Sequence, residues 1–261
     1  MPINSQSTCL ELKQHSLAFW QSALGLTNAE MLSSKHAISH AGHYLSKSGE
    51  QSIFHFTHLA NGKQVLALPE KTLPLLASID LNKNRMLIDA AILAAGFVEQ
   101  YRDIDYYPKS NNQINSFKCI SNSIQCLNSS SLLFKELLPD FLRQQTAEDL
   151  DVLDLEDDEA VALVADGAIQ AIARYVPLKL SPLIADITVL VNPGARQGAL
   201  ATTVVSRLCE LILSRGLIPR YRVAHDHSAS IKVAEKLGFT PQFTITAWRI
   251  KAGDSPSNIN A

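Results

Sequence analysis

The stretch ADITVLVNPGARQGALA at positions 185–201 decides how the chain is read. Ile187, Val189, Leu190 and Val191 make an apolar strand, Pro193-Gly194 turns the chain, and Arg196, Gln197, Gly198, Ala199, Leu200, Ala201 and Thr202 lead into an amphipathic helix predicted over 202–215. Strand, small-residue loop and helix N-terminus in that order aim several free backbone N–H groups at one spot. The positive end of a helix dipole stands behind them, so the segment suits a phosphate or pyrophosphate.

Around this stretch lie 261 residues, 46% of them hydrophobic, enough for a sizeable core and best read as two domains. The 23 basic and 25 acidic residues give a net charge of -2, and no long basic run appears. The electrostatic footprint of a nucleic-acid binder is missing, and no nucleic-acid partner is expected. Cys9, Cys119, Cys126 and Cys209 show neither C-x-x-C nor Cys/His ligand spacing, which fits a reduced, cytoplasmic chain. The polar N-terminus has no basic segment followed by an apolar one, as a signal peptide would. The longest apolar run, 86–97, contains Asp89 and falls short of the ~20 residues a bilayer requires, so no membrane partner is expected.

Ahead of the key stretch, periodicity predicts a helix over 10–24 closed by Gly25, then a hairpin over 52–59 and 63–68 about Asn61-Gly62. A short helix with Pro74 inside it, a helix over 82–95 ended by Gly96, and an aromatic-rich strand over 97–107 follow. His36, His40 and His43 have a spacing that would bring imidazoles to one side of a helix, but no carboxylate or cysteine completes a ligand set. Asp149, Asp151, Asp154, Glu156, Asp157, Asp158 and Glu159 read as a solvated acidic loop; no metal is expected. The Asn-rich run 110–115 has linker composition and separates an N-terminal α/β domain, 1–115, from a second domain, 122–251.

The second domain reads as a strand over 123–127, a helix over 132–143 and a hairpin over 160–164 and 168–176 with an Asp166-Gly167 type I′ turn. A connection over 177–182 enters the strand 184–191 and its helix. A strand over 221–224, a short helix over 231–237 closed by Gly238, and a last strand over 243–250 complete the chain. The order describes an α+β fold on a mostly antiparallel sheet flanked by helices, with one parallel pair about the site helix.

Here the chain resembles the GNAT superfamily of acyl-CoA-dependent N-acetyltransferases, over about 122–250. Two linked signatures carry the resemblance. One is the family's Arg/Gln-x-x-Gly-x-Gly/Ala loop, matched by Arg196 to Ala201 with Ala199 in place of the first glycine. The other is the turn, apolar helix and Gly-Phe ending, matched by His227-Ser228-Ala229-Ser230 through Lys236-Leu237-Gly238-Phe239. The resemblance implies that Leu190 and Val191 serve the pantetheine arm of acetyl-CoA, and that Arg196, Gln197, Gly198, Ala199, Leu200, Ala201 and Thr202 hold its pyrophosphate. His227, where the family has Asn, and Ser230 complete the cofactor contacts. A tyrosine that often acts as general acid in the family is Ala234 here.

The implied reaction is attack of a small-molecule amine on the acetyl thioester. Asp186 is the base candidate the family pattern places, with Tyr175, His225 and His227 as fallback proton carriers; a solvated strand-end carboxylate is the plain alternative for Asp186. The competing expectation for the whole chain is a non-catalytic acyl-CoA-binding or interaction protein. The N-terminal half repeats a helix, Gly96-Phe97 and strand pattern, so it is either a degenerate copy of the same fold or an unrelated α/β domain. A wall for the substrate cleft or a homodimer contact is the role open to it.

Overall fold

The computed structural model describes residues 5–27, 29–30, 36–39, 52–76, 79–80, 82–109, 125–147, 150, 159–195 and 199–250. The chain divides into two compact units, each assembled from three stretches. The first takes Met1–Leu12, Tyr106–Arg222 and Ser228–Thr240; the second takes Lys13–Asp105, Val223–His227 and Pro241–Ala261. The linker proposed at 110–115 lies outside the described residues, as do His40, His43 and the acidic residues 149, 151, 154 and 156–158.

In the first unit the strands β5 (Gln125–Asn128), β6 (Ala160–Ala165), β7 (Ala168–Leu178), β8 (Ser181–Val191) and β9 (Ile218–Ala224) lie side by side in that order. All of these neighbours are antiparallel except β8 and β9, which run parallel. The β6–β7 turn has Asp166 at φ 52 and Gly167 at φ 72, the two positive angles a type I′ turn requires. The connection expected over 177–182 shrinks to two residues, because β7 continues to Leu178 and β8 starts at Ser181. Pro177 is accommodated because the β6 partners of β7 stop at Arg174, so on that side no ladder partner is asked of its missing N–H.

The helix Leu132–Arg143 follows β5, and its Phe134 and Phe141 pack with Ala160, Ala162, Ile172 and Leu190 on one face of the sheet. Side chains alternate along a strand, so Ile187 points away from the face that holds Leu190. Tyr175 and Tyr221 are the register partners of Ile187 on β7 and β9, and the three form a cross-strand row on that second face. The helix Leu200–Ser214 packs on β6, β7 and β8, and its Cys209 lies near Tyr221 on the same side. Fully buried Ala171, Ala173 and Ala185 leave room for the close approach of a helix.

The second unit is built on β1 (Ala37–Ser39), β3 (Lys63–Ala67), β2 (Ser52–His58), β10 (Phe239–Ile250) and β4 (Phe97–Pro108), in that spatial order. Alternation again sorts its two faces. Phe56, Trp20 and Phe243 stack together, with ring centroids 4.8 to 5.8 Å apart, on the side covered by the helix Ser5–Leu24. On the other side Ile53, Leu66 and Trp248 meet Ile88 and Ile92 of the helix Arg85–Ala94.

That second face becomes polar further along. His55, fully buried, places Nδ1 2.7 Å from Asp89 Oδ1 and Nε2 3.1 Å from Gln64 Oε1, while Gln64 Nε2 donates to the Lys83 carbonyl. Asp89 also receives Arg102 Nη2 at 3.0 Å and lies 3.6 Å from Arg85 Nε. Arg85 donates to the hydroxyls of Thr57, Thr244 and Thr246 and to the His55 carbonyl. Burial alone would raise the Asp89 carboxyl. The His55 hydrogen bond and the charges of His55, Arg85 and Arg102 outweigh it and hold the carboxyl below its ordinary value.

Removing one partner from such a cluster strands the remaining charges. Asp89→Ala is expected to cost about 3–5 kcal/mol of unfolding free energy, measured by urea denaturation at neutral pH. Trp20 and Trp248, the two tryptophans of the chain, belong to this unit and make their fluorescence a local reporter. Because the folded-state pKa of Asp89 is depressed, its contribution is present above the unfolded value of about 3.9 and fades as pH falls below it.

Candidate functional site

The first unit gathers the key stretch about the end of one strand pairing. β7 accompanies β8 up to Val191, paired with Ala171, whereas the β8–β9 partners run only from Ile184↔Ile218 to Ile187↔Tyr221. Thr188 to Leu190 lie past the last of those partners. At ~3.3 Å per residue this is a stretch of roughly 10 Å with β7 as its strand partner. An extended ligand arm with amide groups could add to β8 there as a further strand would.

The Leu190 side chain is committed to the core under Phe134 and Phe141, so only its backbone is left to serve a ligand. Asn192 then shapes the exit from the strand. Its amide donates to the Gln170 carbonyl at 2.8 Å, its Oδ1 accepts from Gly194 N–H at 3.0 Å, and its Nδ2 donates to Gln144 Oε1 at 2.7 Å. This Asx-type turn leads through a short 3-10 turn, Pro193–Ala195, toward the helix Leu200–Ser214.

Arg196, Gln197 and Gly198 lie outside the described residues. Ala199 is the N-cap of the helix, with φ -75 and no side-chain cap bond. A negative φ is open to any residue, so alanine replaces glycine there without backbone strain. Thr203 N–H and Thr203 Oγ1 both donate to the Ala199 carbonyl, at 2.9 and 3.0 Å. The N–H groups of Leu200, Ala201 and Thr202 belong to the first turn, where a helix supplies no acceptor of its own.

Asp186 and Arg220 are register partners across β8 and β9, with Asp186 Oδ1 3.4 Å from Arg220 Nη1. The arginine is buried to 2% exposure while the carboxylate keeps 23% of its side-chain surface, so Asp186 is a half-buried, ion-paired group and not a solvated strand end. On the opposite face Tyr221 Oη lies 2.8 Å from Ser230 Oγ of the helix Ser228–Lys236. Burial pushes the Tyr221 phenol up to about 12, although the Ser230 hydrogen bond pulls the other way. Tyr175 is buried in the same cross-strand row.

His227 and His225 are exposed; their amides donate to the carbonyls of Ala224 and Arg102 respectively. His36 accepts from Gln64 N–H in the second unit. Among the described residues no three of His, Cys, Asp and Glu converge as a metal site would require, and no helix is long and apolar enough to cross a membrane.

Residues 164–248 match the family model for GNAT acetyltransferase. This segment is a GNAT acetyltransferase domain. It holds β7, β8, the loop, both helices of the site and nearly all of β10. An acetyltransferase of the GNAT family from Colwellia psychrerythraea shares the fold, at a TM-score of 0.50 and 16% identity, over 95% of this chain and 98% of its own. GCN5-related N-acetyltransferases from Kribbella flavida and Sphaerobacter thermophilus are 13% and 10% identical, with TM-scores of 0.46 and 0.49. The first aligns over 67% of this chain and 68% of its own, the second over 64% and 56%. No curated protein matches the sequence.

Within the GNAT domain, reading the sequence alone missed Asn192, Arg220 and Tyr221. Asn192 had a legible signal, since Asn before Pro-Gly is a turn initiator. Arg220 and Tyr221 had none, because only strand register sets them beside Asp186 and Ser230. Asn192→Ala removes both side-chain bonds of the loop and is expected to cost roughly 1–3 kcal/mol of unfolding free energy by urea denaturation. Asn192→Asp keeps the acceptor for Gly194 N–H and should cost less.

Proposed function

We propose that the protein transfers an acetyl group from acetyl-CoA to the amine of a small molecule. The observation that carries this reading is the early end of the β8–β9 partnering, at Ile187↔Tyr221, next to a small-residue loop and a helix N-terminus. The backbone of Leu190 and Val191 takes the pantetheine arm. Arg196, Gln197 and Gly198, with Ala199, Leu200, Ala201 and Thr202, take the pyrophosphate, and His227 and Ser230 supply further polar contacts. Small side chains near the phosphates leave room for backbone donors.

The substrate amine attacks the thioester carbonyl as a neutral nitrogen, and Asp186 receives its proton directly or through water. The Asp186 carboxylate, 3.4 Å from Arg220 Nη1 and 23% exposed, also steers an ammonium toward the gap. Asp186→Asn is therefore expected to lower kcat by roughly 10- to 100-fold with the KM for acetyl-CoA little changed; unchanged kcat would remove Asp186 from the chemistry. Residues 1–115 are proposed as a separate domain that shapes acceptor choice or pairs two copies, and 122–251 as the cofactor-binding domain; a cytoplasmic location belongs to the same reading.

A non-catalytic acyl-CoA-binding role is the competing reading, favoured by the hold of Arg220 on the one base candidate. Titration with acetyl-CoA tests the binding that both readings share, and absence of heat at millimolar cofactor would sink both. Thiol release against a panel of small amines separates them: turnover supports the enzyme, and binding without turnover on any amine supports the alternative. Arg196→Glu should weaken cofactor affinity several-fold, whereas unchanged affinity would mean that the loop does not face the phosphates.

A further inference from the structure

A surface helix ordinarily turns its apolar stripe toward the core and its polar side chains toward water. The helix Arg85–Ala94 does the reverse. Its one carboxylate, Asp89, is buried against His55, Arg85 and Arg102, whereas Met86 is 80% exposed, Leu87 55% and Leu93 59%. The sequence from Met86 to Val98 is MLIDAAILAAGFV, so the stretch holds no polar side chain besides the one it buries.

The exposed positions fall on one arc of the helix. At roughly 100° per residue, Ala90 stands at the centre of that arc, with Met86 and Ala94 four residues to either side and Leu87 and Leu93 three residues to either side. Ile88 and Ile92 point the other way, into the core under the sheet. Contiguous apolar surface of this kind marks a contact with another molecule.

We propose that this face binds the same face of a second copy of the chain, the two helices lying antiparallel about a two-fold axis at Ala90. A two-fold contact is self-complementary: residue i meets residue j wherever j meets i. About Ala90 it sets Met86 of each copy on Ala94 of the other, a large side chain on a small one, and Leu87 against Leu93. The row of small residues formed by Ala90 and Ala94 lets the helix axes approach to about 8–10 Å. The exposed arc carries no charge, so none meets its own copy across the axis. The ends also match, because antiparallel packing lays the exposed Lys83, just ahead of one helix, beside the C-terminal end of the other, where a cation is favoured.

A lipid surface fits this face less well. Helices that lie on membranes carry lysines and arginines on their polar side. This helix has only Arg85, whose guanidinium is turned toward Asp89 and the hydroxyls of Thr57, Thr244 and Thr246. A patch built on one ten-residue helix lies at the small end of protein interfaces, so the dimer is expected to be reversible, with Kd on the order of 10 micromolar. The pairing uses no residue of the acetyl-transfer site and does not depend on that reading.

Sedimentation of the full chain, from about 1 to about 200 micromolar, should show monomer passing to dimer. Ala90→Glu sets two like charges together at the axis and should weaken the dimer at least ~10-fold. Ala90→Cys is the second probe and keeps that position small. With each Cα about 2.3 Å from its axis, facing Cα atoms are roughly 3.5–5.5 Å apart, a separation a disulfide can span. Mild oxidation should therefore link position 90 to position 90, identified by the mass of the joined peptides, while the exposed Cys126 is the internal control and should form no such link to itself. The cross-link decides where the glutamate variant fails to fold or where the two probes disagree. A chain that stays monomeric throughout the range overturns the proposal, and so does a dimer without the link at position 90. Flotation of a monomeric wild type with phosphatidylserine vesicles would assign the face to lipid and overturn it as well.

Discussion

Parallel strands need a crossover, and the crossover here is a helix that returns the chain to β9 beside β8. Their partnering ends at Ile187↔Tyr221 while β7 goes on to Val191, so the central strand of the first unit has strand neighbours on both sides only over Ala185 to Ile187. This asymmetry organises the site. It sets the loop at the strand's end and brings a tyrosine to the point where the two strands meet.

The strand period then distributes the chemistry. Even-numbered positions of β8 carry Asp186 toward Arg220 and send Leu190 into the core with Phe134 and Phe141; odd-numbered positions set Ile187 between Tyr175 and Tyr221. The two polar pairs, Asp186–Arg220 and Tyr221–Ser230, are thus separated by the thickness of one strand and cannot neutralise each other. One is an ion pair and the other a pair of neutral hydroxyls.

In the second unit the same period serves stability. The face that begins with Ile53 becomes His55 and then Thr57, so an apolar contact with one end of the helix Arg85–Ala94 gives way to a network of His55, Asp89, Arg85 and Arg102. Arg85 spends its donors on three threonine hydroxyls, a carbonyl and Asp89. A guanidinium so fully engaged is a fixture of the fold and has little left to offer a ligand.

Much of this architecture is legible in the sequence because it depends on local pattern. The hairpin turn at Asp166-Gly167, the Gly caps after the helices, the alternation along 184–191 and the small-residue loop each follow from backbone sterics within a few residues. The extent of β7 and β8 was not legible, since Pro177 and Pro182 signal a break; Pro177 lies past the end of the β6 ladder, and Pro182 lies before the first β9 partner of β8, Ile184. Asp186 reads in sequence as a polar strand end; its ion pair exists because parallel register sets residue 186 opposite residue 220, a separation no local pattern encodes. Likewise Ala199 looks like a flaw in a phosphate loop until its φ of -75 shows that no glycine is required there. The sequence by itself determined the elements, their caps and the family signature. Tertiary structure alone decided which side chains meet, because strand register and face are set by packing between segments far apart along the chain.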